Sequence, residues 1–270
     1  MGGSMSKPDR ERSARDRLAE ERRRTEARQR RRRLLVVVLG AVAAAAVVVV
    51  IVVVVVGTNG GGGPSAVKYT GPIAPATRQQ DGSVAMANPG VTTPVLDVFE
   101  DFQCPACKAM EARVGGTMKK LAAEGRVKVV YRPFQLFQQD PLMSNSRRAA
   151  NAAACMPADH WVKYHDKLYD EQPPEGDKGF ANADLIKWAG RLGVTDPSFA
   201  ACVNGAQKIG QVDQATAYAG KAGVTATPYL ALNGRQLGND ALASPDALQK
   251  TIAKAGSGTP RSAGEAPGQG

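Results

Sequence analysis

The sequence predicts an α/β domain that carries a helical insertion and is preceded by a single transmembrane helix. Three observations predict it. Residues 34–56 form a 23-residue run with no charged or polar side chain, directly after four Arg. A short apolar strand, Val95 to Phe99, leads into Cys104-Pro105-Ala106-Cys107 and then a helical pattern. A strandless stretch, about 140–222, separates this β-α-β beginning from a β-β-α end.

Residues 1–33 read as a basic cytoplasmic tail. They hold 13 Lys/Arg against 6 Asp/Glu, so most of the formal net charge of +10 lies outside the folded region. The chain therefore does not present a basic folded domain. The Arg run abuts an apolar segment, which gives it a topogenic role and excludes nucleic acid as its partner. At 1.5 Å per residue, residues 34–56 span about 34 Å, enough for a bilayer core. Valine is a poor helix former in water, but unpaired backbone in lipid costs far more than that propensity. Four Arg before the run place the N-terminus in the cytoplasm and the rest of the chain outside. A cleaved signal peptide is the competing reading; its apolar core is typically about 7–15 residues, shorter than this one.

Residues 57–92, rich in Gly, Pro, Ser, Thr and Gln, read as a flexible extracytoplasmic linker. Residues 256–270 read as a disordered tail. The folded domain is then 93–255. Within it the sequence predicts a strand at 95–99, a helix from Pro105 to about Glu124 closed by Gly125, and a strand at 127–132. Helices follow near 145–156, 159–170, 181–192 and 197–221, broken by prolines. Tyr229 to Leu232 is a strand, Asn233-Gly234 a hairpin turn, 235–238 a short strand, and 244–254 a helix.

Cys104 and Cys107 lie three apart at the start of a helix. Backbone N–H groups and the helix dipole there favour a thiolate. Pro105 fits the first helical turn, where its missing N–H costs nothing. The spacing makes Cys104 the exposed, acidic, attacking sulfur and Cys107 the buried, resolving one. Structural zinc would need four ligands, and no second close cysteine pair is present. Thiol–disulfide exchange needs no metal and no cofactor. Thr227-Pro228 directly precedes the strand at Tyr229; a cis bond there would turn the Thr227 backbone toward the Cys104 sulfur. Glu100 could pass a proton to or from Cys107 through water, and Asp101 is a second carboxylate nearby.

These residues resemble the thioredoxin superfamily, and specifically the DsbA-like thiol:disulfide oxidoreductases of bacterial envelopes. The strand with Glu100 to Cys107, the helical insert, and Thr227-Pro228 carry the resemblance, which covers about 93–255. It implies a thioredoxin-like fold with Cys104 as nucleophile, Cys107 as resolving thiol and Pro228 as a cis residue opposite them. It also implies that Phe134, with Leu136 and Phe137, borders an apolar substrate groove. One departure matters: Ala106 stands where the well-studied periplasmic oxidase has His, so a milder oxidant is expected.

Cys155 and Cys202 both fall in the insert. In an oxidising compartment a structural disulfide suits them, and actinobacterial relatives carry a second disulfide in this region. Two separate buried thiols and a second redox pair are the alternatives. His160 and His165 are five apart and do not share a helix face; with Trp161, Tyr164 and Leu168 they read as packing residues.

The expected function is thiol:disulfide exchange on exported cysteine-containing proteins, forming disulfides. A DsbB-like or vitamin K epoxide reductase-like membrane protein would reoxidise the pair. The alternatives are an envelope reductase or isomerase using the same residues, and a redox-inactive binding or chaperone-like module. The flexible linker offers no dimerisation domain, so a monomer is expected.

Overall fold

The computed structural model describes residues 69–256, which fall in the unit Ala66–Gly270. The expected cytoplasmic tail, the membrane segment at 34–56, the first part of the linker and most of the C-terminal tail lie outside the described residues. Among the described residues no helix is long and apolar enough to cross a membrane.

Six strands form one sheet in the order β1-β2-β4-β3-β5-β6. They are β1 (Ala76–Arg78), β2 (Val84–Met86), β3 (Val95–Glu100), β4 (Lys128–Pro133), β5 (Tyr229–Leu232) and β6 (Arg235–Gln236). Only β3 and β4 are parallel; every other neighbouring pair is antiparallel. One face of the central strands is apolar and fully buried, while the other mixes apolar side chains with the Asp97–Arg132 ion pair. Leu96, Val98, Val129 and Tyr131 are fully buried. Asn233 and Gly234 turn β5 into β6 with φ of 50° and 75°, the left-handed pair that a tight hairpin requires.

Two strands lie where a flexible linker was expected. β1 and β2 fall inside 57–92 and add two strands to the edge beside β4. Val84, Ala85 and Met86 are all buried, and Arg132 of β4 reaches back to Asp81 at 2.6 Å. Buried apolar side chains and a paired turn outweigh the Gly/Pro/Thr composition that suggested a tether.

Helix α1 (Pro105–Met110) runs into a π-helical turn at Glu111–Gly115 and continues as α2 (Gly116–Ala123). The expected single helix is thus interrupted. At Gly115 a Cβ would run into the Glu111 carboxylate, so the glycine leaves room for that side chain to turn inward. The terminal helix α8 (Pro245–Gly256) packs against α2.

The insert comprises α3 (Leu142–Cys155), α4 (Ala158–Asp170), α5 (Asn182–Arg191), α6 (Pro197–Asn204) and α7 (Ile209–Lys221). α3 is its centre. Ala149, Ala150, Ala152 and Ala153 are buried, and such small side chains let α4, α5, α6 and α7 approach closely. The single helix expected at 197–221 is two helices, parted where Ala206 takes φ of 47°. On α4, Trp161, Tyr164, His165 and Leu168 fall at helical spacing on one buried face. Cys155 and Cys202 are joined as a disulfide with Cα atoms 6.0 Å apart, linking α3 to α6.

Candidate active site

β3 ends at Glu100 and the chain turns through Asp101-Phe102-Gln103 into Cys104, the N-cap of α1. Asp101 builds this turn. Its carboxylate accepts from the backbone N–H of Gln103 and Leu136 (both 2.8 Å) and from the Ser146 hydroxyl (2.7 Å). Burial pushes the Asp101 carboxyl up from its ordinary value even so. Its acceptors are committed to structure, not to the thiols. Gln172, just beyond α4, donates to the carbonyls of Phe102 (2.7 Å) and Cys104 (3.0 Å). The insert therefore clamps the loop that carries the nucleophile.

Cys104 and Cys107 are both free thiols. Their surroundings give them opposite acidities. The Cys104 thiol is lowered to about 6, chiefly by a hydrogen bond from Cys107, against an opposing push from burial. Thr227 and the backbone N–H groups of Ala106 and Cys107 add to the lowering. The Thr227 hydroxyl has no other partner, so it is free to turn to a thiolate; the protonated thiol instead donates to the Thr227 carbonyl at 3.5 Å. Burial pushes the Cys107 thiol well up, and the Cys104 and Glu100 charges push it further. Thr227-Pro228 is a cis peptide.

Two expectations change here. Cys104 is not exposed: only 5% of its surface is accessible, because the Thr227 backbone closes over the sulfur. Phe134 does not border an open groove. Its N–H bonds to the Glu100 carbonyl at 3.0 Å, which turns the ring inward among Phe99, Ala219 and Val224, leaving it 4% exposed. Leu136 and Tyr229, only partly buried, flank that cluster.

Glu100 is fully buried, its charge is felt at Cys107, and it meets a residue that the sequence offered only as packing. His165 Nε2 lies 2.8 Å from Glu100 Oε1, and its Nδ1 lies 3.1 Å from Asp166 Oδ1. Burial alone would lower the imidazole, but Glu100 and Asp166 overcome it and raise His165 to about 10. Lys119 bonds Asp166 at 2.7 Å and approaches Glu111 at 3.8 Å. Burial raises the Glu111 carboxyl to about 7. Among the described residues, Glu100, Glu111 and His165 are the one grouping of three side chains able to converge on a metal. His165 already bridges two carboxylates and Lys119 already faces Glu111, so protons and an ammonium supply the positive charge there. No local pattern marks His165, since its partner lies 65 residues away. His160 is partly exposed beside Asp159 and stands apart from the thiols.

A family model described as Thioredoxin matches residues 91–254. The chain belongs to the thioredoxin family. No curated protein matches it significantly. Among solved structures it is similar to the reduced disulfide bond oxidoreductase DsbG of Mycobacterium tuberculosis: 31% identity over 64% of this chain and 84% of that one, TM-score 0.55. Oxidised DsbA of the same organism gives 31% identity over 69% and 94%, TM-score 0.55. BdbD of Bacillus subtilis, at 20% identity over 70% and 100% with TM-score 0.58, shows the same fold. With Cys104 and Cys107 set as above, this thioredoxin-family chain is a DsbA-like thiol–disulfide oxidoreductase.

Proposed function

We propose that the protein is an oxidase of the cell envelope that forms disulfides in exported proteins. The acidity of Cys104 carries this reading. A thiolate already stable near neutral pH is a good leaving group, so the Cys104–Cys107 disulfide is readily reduced by a client's thiols. The client thiolate attacks Cys104 Sγ; the bond to Cys107 breaks and its electron pair stays on Cys107, which takes a proton. A second client thiolate then attacks the mixed disulfide and releases Cys104 as the thiolate. Glu100 is the group that exchanges the proton with Cys107. The Thr227 backbone, beside Cys104, pairs with the extended client chain ahead of Pro228. Cys155–Cys202 holds the insert together.

Residues 34–56 anchor this domain in the membrane with the N-terminus in the cytoplasm and 1–33 as the retained tail. The enzyme acts as a monomer, and a DsbB-like or vitamin K epoxide reductase-like protein in the same membrane reoxidises it. The deciding measurement is the equilibrium potential against glutathione, read together with the redox state in cells. A pair held mostly reduced in the envelope would overturn the oxidase direction in favour of a reductase or isomerase.

A further inference from the structure

Opening or closing the Cys104–Cys107 disulfide moves one proton onto or off a buried sulfur. Glu100 takes it in the reading above, but Glu100 is itself sealed from solvent. A proton arriving on Glu100 beside a charged imidazolium would leave an uncompensated positive charge in the core, which is costly. The surroundings of Glu100 offer a way to keep the buried charge constant.

We propose that His165 and Asp166 connect Glu100 to solvent, so that each proton exchanged with Cys107 is balanced by one exchanged at the far side of the His165 ring. His165 acts through Glu100 and is a positioning residue of the thiol reaction; the inference rests on the role given to Glu100 above. Three observations carry it. The two ring nitrogens face two different carboxylates, at 2.8 Å and 3.1 Å, one inside and one outside. Glu100 Oε2 is buried and has no partner, leaving that oxygen free for the proton of Cys107. The Asp166 side chain is 28% exposed and lines a surface groove of about 760 Å³.

The steps balance without rotating the ring. On closure, Cys107 gives its proton to Glu100 Oε2 and its sulfur displaces the client thiolate from Cys104. The neutral Glu100 no longer compensates the imidazolium. In the same step His165 releases its Nδ1 proton through Asp166 to water and keeps Nε2–H toward Glu100. Opening reverses each transfer. The other groups around the ring suit this exchange. Lys119 of α2 holds Asp166, and Glu111 of the π turn adds negative charge. Tyr131 of β4 packs on the ring in a tilted arrangement at 4.8 Å, while Trp161 and Tyr169 of α4 and Phe102 seal the ring from water.

The test uses the reduced protein and glutathione disulfide as the probe. Rapid mixing and acid quench, read by mass, separate formation of the Cys104–glutathione mixed disulfide from its resolution by Cys107, at pH 5–9. His165→Gln keeps a donor toward Glu100 but cannot titrate. It should slow resolution about tenfold at pH 7, less than the roughly 10²-fold or more expected when a directly positioned proton-transfer group is lost in Glu100→Gln. Mixed-disulfide formation and the Cys104 thiolate absorbance titration should stay as in the wild type. In mixtures of light and heavy water, the wild-type resolution rate should bow with deuterium fraction, as two moving protons require, and become linear in His165→Gln. Asp166→Asn, at a partly exposed site, should give the same pattern if His165→Gln does not fold. Unaltered resolution and a linear dependence in the wild type would overturn the proposal while a slow Glu100→Gln keeps the Glu100 role. A normal Glu100→Gln would sink both. Equal slowing of both steps in His165→Gln would mean that the ring only supports the fold.

Discussion

The acidity of Cys104 dictates how the redox couple should respond to pH. An ordinary thiol at 9.0 is brought to about 6 here, while burial keeps Cys107 a thiol. Because the folded value lies below the ordinary one, the stabilisation of the reduced protein is complete above pH 9 and is lost as pH falls through 6. Its full span is about 4 kcal/mol at roughly 1.4 kcal/mol per unit. At pH 7 about one tenfold step of it is present, making the pair about 30 mV more oxidising than one with an unperturbed thiol. Reduction should therefore take up two protons with two electrons below pH 6 and one above it. The potential should fall by about 59 mV per pH unit below pH 6 and about 30 mV above, since tenfold in a two-electron couple is about 30 mV.

The perturbation that isolates one contributor from outside the motif is Thr227→Val, which removes the hydroxyl available to the thiolate. A hydrogen bond to a charged group is worth about 1.5–3 kcal/mol, so the break should move up by about one to two pH units. At pH 7 the variant should be about 20–30 mV less oxidising. Equilibration with glutathione at pH 5–8, with alkylation and mass reading of the reduced fraction, measures both proteins. A wild-type slope that stays near 59 mV per unit up to pH 8, or a break that Thr227→Val leaves in place, would refute the reasoning.

Three further outcomes follow from the packing. Replacing Cys155 and Cys202 with Ala should cost about 4 kcal/mol in urea unfolding, from the chain entropy of a 47-residue separation, with the Cys104 titration unchanged. A chain begun at residue 93 should aggregate while one begun at residue 69 folds, as judged by gel filtration and thermal melting. Losing β1 and β2 uncovers the β4 edge and removes fully buried Val84 and Met86, each worth about 1.5–3 kcal/mol, out of a total stability of about 5–15 kcal/mol. Asp101→Ala should cost about 3 kcal/mol by leaving the Gln103 and Leu136 N–H groups and the Ser146 hydroxyl without their acceptor, read as a lowered urea midpoint.

Features written as local patterns were legible in the sequence. The Asn233-Gly234 turn, the Cys104 helix start behind Pro105 and the buried stripe Trp161, Tyr164, Leu168 each depend on residues a few positions apart. The edge strands β1 and β2 were missed because three residues are too few for an alternating pattern to show. The Asp81-Gly82 pair between them was the available signal, a turn dipeptide flanked by strand residues. The π turn at Glu111 has no periodicity that a reader of 3.6-residue spacing would detect. The exposure expected for Cys104 failed for another reason. Helix position contributes to a sulfur's acidity, but its cover comes from a loop 123 residues away.

The distribution of these partners bears on what sets the potential of this cysteine pair. Ala106 removes one local source of thiolate stabilisation, and a reading confined to the four residues from Cys104 to Cys107 ends there. Yet the groups that hold the site come from the insert: Ser146 on Asp101, Gln172 on the Cys104 carbonyl, and His165 on Glu100. Each is 45 to 68 residues from the atom it holds. Thr227 adds its hydroxyl from the opposite side. Acidity at Cys104 is therefore a property of Cys107, helix start and loop together, and in the proposed mechanism proton supply at Cys107 is a property of strand plus insert. Two chains with the same Cys-Pro-Ala-Cys can differ in potential and in resolution rate, because those quantities are written in residues that the motif does not contain.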